Sequence, residues 1–316
     1  MNTATYLVTG GTGFLGSHLT RHLLTQGHKV RVYARSEHGH ERLAQSVTQE
    51  QRPRLSTLLG AVEDLGRLRI ALRGVDHVIH AAAQKIVPIA EYDPGRCVAT
   101  NVDGTANVID ACLSVGVKSA VLVSSDKAAA PYTVYGATKL CAERLWLAAN
   151  RYSAGGFPAF MACRYGNVWG SKGSVLETWA KEQEADKPIS ITYPNCTRWH
   201  ITVEQAIGVV LEALHAHGAG DLVIPKMPRY TLGHLAEAFG GESRVVGLRL
   251  AEKKHEDLIS EHESCSVKTQ DVACFVLRPG ELHEEGGWSY RSSAATARAL
   301  SVHELADAVK VWRMCR

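Results

Sequence analysis

The stretch from Val121 to Lys139 reads VLVSSDKAAAPYTVYGATK and gathers the side chains best suited to chemistry. An apolar, strand-like run breaks at Ser124. After Pro131 the chain resumes as a helix that places Tyr135 and Lys139 on one face, one turn apart. A phenol has an ordinary pKa of ~10, so a tyrosine acting as a base near neutrality needs positive charge close by, which Lys139 can supply. Tyrosine and lysine at that spacing also occur on ordinary amphipathic helices. The Ser124-Ser125 pair upstream and the glycine-rich start of the chain point to the chemical reading. Asp126-Lys127 is the unusual part: an acid and a base at the mouth of the same strand.

The elements that must position these groups begin at the N-terminus. Thr5 to Thr9 is a short apolar strand, followed by Gly10-Gly11-Thr12-Gly13-Phe14-Leu15-Gly16 and an amphipathic helix to about Gln26. Gly10 permits the tight turn, Gly13 lets backbone approach a pyrophosphate, and Gly16 lets helix and strand pack closely. The helix N-terminus then faces the phosphates, so this segment is expected to bind a dinucleotide. A second strand, Lys29 to Tyr33, runs into Ala34-Arg35-Ser36-Glu37. A carboxylate there would accept from ribose hydroxyls, as in an NAD site, whereas a guanidinium can pair with a 2′-phosphate. Arg35 therefore favours NADP, and Glu37 keeps NAD possible. Leu55 to Leu59 and His77 to His80 read as the third and fourth strands. Beyond the fourth, the small residues Ala81-Ala82-Ala83 leave room for a flat cofactor, or simply allow tight packing. Asp93-Pro94 starts a long helix, with proline tolerated in the first turn and a carboxylate at the positive end of the dipole. On it, Asn101 could cap or plug the helix locally, or brace an active-site lysine through water.

Composition narrows the function classes. The chain has 316 residues, 45% of them hydrophobic, enough for one large core or two joined domains. Its net charge of +3 is dispersed, and no strip of aromatic and basic residues suits nucleic acid, so an anionic small molecule is the expected partner. Eight cysteines form no CxxC pair and read as buried thiols of a reducing compartment. The first residues enter a strand without a signal-peptide pattern, and no run approaches a membrane span. A cytoplasmic protein without membrane association is expected.

In the second half, Ala159 to Arg164 reads as the sixth strand, leading to Asn167, either a turn asparagine or an amide aimed at a polar ligand. Arg198, Lys226, Arg249 and Lys253 are cations near loops; Arg198 and Arg249, with their planar forks, best suit a diphosphate. Val203 to His217 reads as a helix and Leu222 to Ile224 as a strand. Thr231 caps a further helix, Val245 and Val246 lie in a strand, and about Val302 to Trp312 forms a docked final helix. Cys265 to Asp271 is a polar stretch with no assigned element. His215, His217, His255 and nearby glutamates lack a usable ligand spacing, so no metal is expected.

Thr9 to Gly16, Ala81-Ala82-Ala83, Asn101, Ser125 and Tyr135-Gly136-Ala137-Thr138-Lys139 together resemble the extended short-chain dehydrogenase/reductases acting on nucleotide sugars. Ser125-Asp126-Lys127-Ala128, Arg164-Tyr165-Gly166-Asn167-Val168, Gly173-Ser174-Val175, Thr197-Arg198-Trp199-His200 and Ala251-Glu252-Lys253-Lys254-His255-Glu256 narrow the resemblance to the inverting UDP-N-acetylglucosamine 4,6-dehydratases, which begin the pseudaminic-acid pathway. The family's usual asparagines around the proline are replaced by Ala130 and Thr133. Its acidic residue after strand three is replaced by Ala61, and its RPGEK-like segment reads Arg249-Leu250-Ala251-Glu252-Lys253.

The resemblance implies an α/β fold: a Rossmann-type doubly wound parallel sheet with a smaller C-terminal α/β substrate domain. Residues 1–165 would bind NADP, with about 195–220 returning to that domain, and 166–316 would mainly bind the nucleotide sugar. Cofactor contacts are expected from Gly10, Thr12, Gly13, Phe14, Leu15, Gly16, Arg35, Ala81, Ala82, Ala83, Asn101, Tyr135 and Lys139. Substrate contacts are expected from Lys85, Asn167, Ser174, Arg198, Arg249 and Glu252, in a homo-oligomer. Tyr135, activated by Lys139 and assisted by Ser125, would take the C4 hydroxyl proton during oxidation. Lys127, neutral through a lowered pKa, would remove the C5 proton, and Asp126 would protonate the departing C6 hydroxyl. A C4 epimerase would need Tyr135 and Lys139 but not Asp126-Lys127. Dehydratases of the other major type use adjacent Asp and Glu, and a non-catalytic NADP sensor would tend to lose the tyrosine or lysine.

Overall fold

Six strands of the first half form the parallel core of the computed structural model, which describes residues 3–249, 252–282 and 286–316. They are β1 (Thr5–Thr9), β2 (Lys29–Ala34), β3 (Leu55–Leu59), β4 (His77–His80), β5 (Ser119–Val123) and β6 (Ala159–Cys163). Between them run α1 (Phe14–Thr25), α2 (Glu37–Gln45), α3 (Leu65–Leu72), α4 (Val87–Tyr92), α5 (Pro94–Val98), α6 (Gly104–Val115) and α7 (Val134–Ala148). Val78, Ile79, Ala120, Val121, Phe160 and Ala162 are wholly shielded from solvent, as expected for parallel strands covered on both faces.

The second half adds β7 (Ile189–Ile191), β8 (Thr197–Trp199), β9 (Leu222–Pro225), β10 (Arg229–Thr231), β11 (Ser243–Val245), β12 (Asp257–Ile259), β13 (Val267–Gln270), β14 (Cys274–Leu277) and β15 (Tyr290–Arg291). Its helices are α8 (Val175–Glu184), α9 (Val203–His215), α10 (Leu232–Phe239) and α11 (Val302–Met314). The large sheet has the order β13-β14-β9-β6-β5-β4-β1-β2-β3. β9 joins β6 in parallel, and β14 and β13 extend the edge antiparallel. The stretch left unassigned in the sequence is this edge. Val267 is buried and the next three residues of β13 are exposed, so no alternation marks the strand. The Asp271 carboxylate accepts from the Ala273 and Cys274 amides and forms the turn back into β14. A second apolar cluster, including Leu176, Trp179, Ile189, Leu235, Phe239, Leu305 and Val309, ties α8, β7, α10 and α11 together. Among the described residues no helix is long and apolar enough to cross a membrane.

Two local departures from regular geometry lie near the mouth of the sheet. The long helix begins at Asp93, whose carboxylate accepts from the Arg96 amide, but a π turn at Ala99–Asp103 interrupts it. Such a turn re-aims side chains at functional sites, and here it carries Asn101. Ala130, exposed in the loop after β5, has a φ of 43°, in the left-handed region where an alkyl side chain costs ~1–2 kcal/mol. Asparagine enters that region more readily. Ala130→Asn should therefore stabilise the chain by about 1 kcal/mol, raising Tm by about 2–4 °C. An unchanged or lower melting temperature would contradict this.

Candidate active site

At the end of β5 the backbone turns sharply under its own side chains. Ser125 caps a short 3-10 turn over Asp126–Ala128, and the Asp126 amide donates to the Tyr165 carbonyl beyond β6. One carboxylate oxygen of Asp126 accepts from Ser125 Oγ at 2.9 Å and from Lys127 Nζ at 3.0 Å. Lys127 Nζ also reaches Glu256 Oε1 at 3.1 Å, just ahead of β12. Asp126 and Glu256 are both buried, and Asp126 Oδ2 and Glu256 Oε2 have no hydrogen-bond partner. Buried carboxylate oxygens are costly to leave unpaired, so these two atoms mark where a ligand or a proton is to be accommodated.

α7 docks directly on this turn. Thr133 caps it, its hydroxyl accepting from the Gly136 amide. A Cβ on Gly136 would run into the Lys127 carbonyl, which is why the helix needs glycine there. Tyr135 and Lys139 are thereby carried into the site, both buried. Burial pushes the Tyr135 phenol up to about 12, with the Ser125 hydroxyl and the Lys127 charge acting in the opposite direction. Burial pulls Lys139 down to about 8, and its Nζ donates to the Val123 carbonyl at 2.8 Å. Asn101 donates to the Gln84 carbonyl and to Thr138 Oγ1, and accepts from the Gln84 amide. It fastens the loop after β4 to α7, and its described hydrogen bonds do not include Lys139.

The electrostatics correct one expectation. The role of Lys127 as a base predicts a lowered pKa. Burial does act that way, but Asp126 and Glu256 outweigh it and hold the ammonium above its ordinary value. Asp126 is shifted upward, by burial first and by Glu256 next, against the pull of Lys127 and Ser125. The carboxyl is thus biased toward carrying a proton and the amine toward keeping one.

At the other end, Gly10 has φ +66°, and a Cβ on it would lie 2.8 Å from Ala82 Cα, at the point where strand order reverses between β1 and β4. Gly16 packs against the Gly10 carbonyl. Gly13 leads into α1 without a side-chain cap, and no acidic residue occupies the first turn. Thr12, Phe14 and Leu15 are partly exposed around it, as are Ala81, Ala82 and Ala83. Arg35 is exposed after β2 with no hydrogen bond or ion pair to another described residue. An uncapped helix N-terminus, glycines where a Cβ would clash, and a free guanidinium nearby fit a dinucleotide phosphate.

The residues expected to meet the sugar nucleotide are more dispersed. Lys85 Nζ donates to the Lys172 carbonyl at 3.3 Å, joining its loop to the one before α8, where Ser174 Oγ is buried without a partner. Asn167 is exposed. Arg198 is buried and committed: it donates to Glu252 Oε1 at 2.8 Å and to the Thr197 and Lys254 carbonyls. Arg249 is exposed, its amide donating to Glu252 Oε2. Leu250 and Ala251 lie outside the described residues. Glu256 and Tyr230 are site groups that the sequence did not single out for a role. Tyr230 pairs with Arg198 across β10 and β8, and burial pushes its phenol up to about 12 within the fields of Arg198, Lys127 and Asp126. Glutamate in a run rich in charge carries no signal of the distant lysine it will face. Elsewhere, Glu212, His217 and Cys274 bring ligand-type atoms within 4.8 Å of one another; burial pushes the Cys274 thiol up to about 11.

The strand order, glycine turn and Tyr135-Lys139 helix define an extended short-chain dehydrogenase/reductase. Within that class, the chain belongs to the polysaccharide biosynthesis protein family, whose profile matches residues 6–277. It is 40% identical over 268 residues to the UDP-N-acetylglucosamine 4,6-dehydratase (inverting) of Campylobacter jejuni, spanning 83% of this chain and 79% of that one. A UDP-glucose 4-epimerase of Rickettsia rickettsii is 32% identical over 82% of this chain and 78% of its own. The X-ray structure of Pen from Bacillus thuringiensis matches with a TM-score of 0.92 at 30% identity, covering 99% of this chain and 98% of that one.

Proposed function

We propose that this chain is a nucleotide-sugar 4,6-dehydratase that acts on UDP-N-acetylglucosamine, inverts C5 and uses NADP. The observation that carries the reading is the ion pair of Lys127 with the buried Asp126 beside Tyr135, which a 4-epimerase would not need. Similarity to an inverting dehydratase of that substrate supports it.

A nicotinamide cofactor, held by the Gly10-to-Gly16 turn, would accept hydride from C4 and return it to C6. Tyr135 takes the C4 hydroxyl proton while Ser125 hydrogen-bonds the same oxygen. Lys139, held at about 8 by burial, supplies or withdraws positive charge beside the phenol with little cost near neutrality. The C4 ketone acidifies the C5 proton, which Lys127 removes. Asp126, biased toward its protonated form, gives its proton to the C6 hydroxyl, which leaves as water. Ser174, Asn167 and Arg249 of the second half, with Lys85 after β4, would bind sugar and diphosphate. Arg198 would orient Glu252 rather than meet phosphate alone.

Proton NMR with UDP-N-acetylglucosamine in heavy water should show a C6 methyl group, deuterium at C5 and a 4-keto ring of L-configuration. A D-configured product would remove inversion, and a galacto product without a methyl signal would establish the epimerase. For the cofactor, Arg35→Ala should weaken NADP binding about 10–100-fold, the worth of a charge-assisted phosphate contact, and leave NAD binding nearly unchanged. Equal losses for both, measured by titration calorimetry, would exclude a 2′-phosphate role for Arg35.

A further inference from the structure

Away from the Asp126-Lys127 turn, three side chains of different chemistry converge where α9 ends against β14. Glu212 lies in the last turn of α9, His217 in the turn that follows, and Cys274 opens β14. Glu212 Oε1 and His217 Nε2 are 3.5 Å apart, and the Cys274 thiol completes a group whose ligand-type atoms all lie within 4.8 Å of one another. At 3.5 Å the first pair is beyond the usual hydrogen-bond range of about 2.7–3.2 Å, so that contact fixes neither side chain. It does match four-coordinate zinc, whose bonds of about 2.0 Å to nitrogen or oxygen and 2.3 Å to sulfur set neighbouring ligand atoms roughly 3.3–3.7 Å apart. Glu212, with its side chain 44% exposed, has room to rotate toward the thiol. Cys274 is buried, but with Glu212 it lines a groove of about 260 Å³ between α9 and the loop after β9, which gives an ion a way in. Asp271 steadies the thiol from the turn before β14: its Oδ1 accepts from the Ala273 and Cys274 amides, and its Oδ2 lies 3.7 Å from Cys274 Sγ. Lys226, a cation of the same region, is committed to the Asp271 carbonyl and the Phe275 ring.

We infer that Glu212, His217 and Cys274 form a binding site for a thiophilic divalent cation, with zinc the ion that fits. A thiolate, an imidazole and a carboxylate together suit a borderline-soft metal, whereas magnesium and calcium take oxygen ligands and would leave the thiol unused. On binding, the thiol proton is released to solvent as the sulfur lone pair meets the metal, and His217 coordinates through a neutral Nε2. Thiolate and carboxylate supply two negative charges, which balance the ion. Three protein ligands leave a fourth position for water. The ion joins the end of α9 to β14, and so braces the antiparallel edge of the large sheet against the helix that packs on β5 and β6. No spacing along the chain announces the site, because the thiol comes from a distant strand. The site stands apart from the elimination chemistry, and its test needs no turnover.

Cobalt(II) and zinc, each added alone to the reduced full-length chain after dialysis against a chelator, are the probes. Cobalt should bind at one equivalent per chain, with the near-ultraviolet charge-transfer band of a thiolate ligand and the visible bands of a four-coordinate ion, and excess zinc should remove both. Cys274→Ser should abolish the charge-transfer band. His217→Ala and Glu212→Gln should each weaken cobalt binding by more than ~10-fold, since a direct ligand is worth more than the outer partners whose loss costs about 10–100-fold. Zinc should raise the melting temperature of wild type and leave that of His217→Ala nearly unchanged. Absence of a thiolate band in wild type would overturn the inference. So would a band that survives in Cys274→Ser, which places the ion on another thiol such as the exposed Cys141 or Cys315. Should Cys274→Ser fail to fold, His217→Ala, altered in a half-buried turn outside α9, decides the matter: cobalt affinity within about threefold of wild type, or an equal rise in melting temperature with zinc, overturns the site.

Discussion

Lys127→Met should stop elimination while leaving oxidation at C4 intact: C6 methyl formation falls by ~10²–10⁴-fold, and reduced nicotinamide accumulates on the enzyme. The split is expected because the two halves of the reaction use different groups. Tyr135 and Lys139 come from α7, and on the Tyr135 phenol the Lys127 charge weighs less than burial and the Ser125 hydroxyl. Lys127 reaches C5 from the end of β5, where nothing else basic is described that could replace it: Lys139 is bonded to the Val123 carbonyl, and Lys253 to the Ala129 and Ala130 carbonyls. Methionine fills the space of the lysine stem, so packing is preserved, but Asp126 and Glu256 lose the charge between them. Their protons should then be retained to higher pH, since each carboxylate now faces the other without the ammonium. Product NMR beside stopped-flow absorbance makes the test. A 4-epimerase would turn over in the variant at a rate near wild type, so unchanged turnover would end the dehydratase reading, whereas loss of both steps together would mean that Lys127 binds the sugar rather than deprotonating it.

The parts of this site that could be read in the sequence are those that lie close together along the chain. Ser125, Asp126, Lys127, Tyr135 and Lys139 occupy one strand end and the first turns of the next helix, so local periodicity and one glycine turn suffice to bring them together. The strands β1 to β6 follow the same logic, because each is joined to the next through a helix and most carry an apolar run, β3 with its exposed Ser56 and Thr57 the least. What could not be read depends on contacts between distant segments. Lys127 has a raised rather than a lowered pKa because Asp126 and then Glu256, which arrives from the second half, outweigh burial, and a charged run ending in Lys254-His255-Glu256 looks like solvated surface. Arg198 presents a fork suited to phosphate, but Glu252 occupies it. β13 carries no strand signal, since an edge strand with three exposed residues has no alternation, and it is recognisable only once β14 lies beside it.

Arg164→Met should destabilise the chain by about 3–5 kcal/mol, a large part of the ~5–15 kcal/mol that a folded domain commands. Arg164 is fully buried, and its guanidinium is satisfied on every side. Nε and Nη2 donate to the two carboxylate oxygens of Glu143, Nη1 and Nη2 to those of Glu263, and Nη1 also to the Leu258 carbonyl. Removing it leaves two buried carboxylates facing each other, and the cost is that of the uncompensated charges more than of the lost contacts. Glu263 shows how strongly the pair is felt. Burial would raise its pKa, yet Arg164 and the Ser260 hydrogen bonds lower it to about 2. Because the folded value lies below the ordinary carboxylate value of 4.5, this contribution is present above pH 4.5 and is lost as pH falls toward 2. Urea melts of wild type should therefore weaken across that window, and those of Arg164→Met should weaken less. Activity should fall with stability, for a geometric reason. Glu143 lies on α7 with Tyr135 and Lys139, and Leu258 and Glu263 follow Glu256, so the guanidinium couples the oxidation groups to the carboxylate beside Lys127. Replacing all three charged residues by apolar ones, Arg164→Met with Glu143→Leu and Glu263→Leu, should recover much of the stability, since no buried charge is then left unpaired. A single Arg164→Met variant as stable as wild type would show that water or a rearranged side chain neutralises the two glutamates, and the clamp between α7 and β12 would have to lie elsewhere.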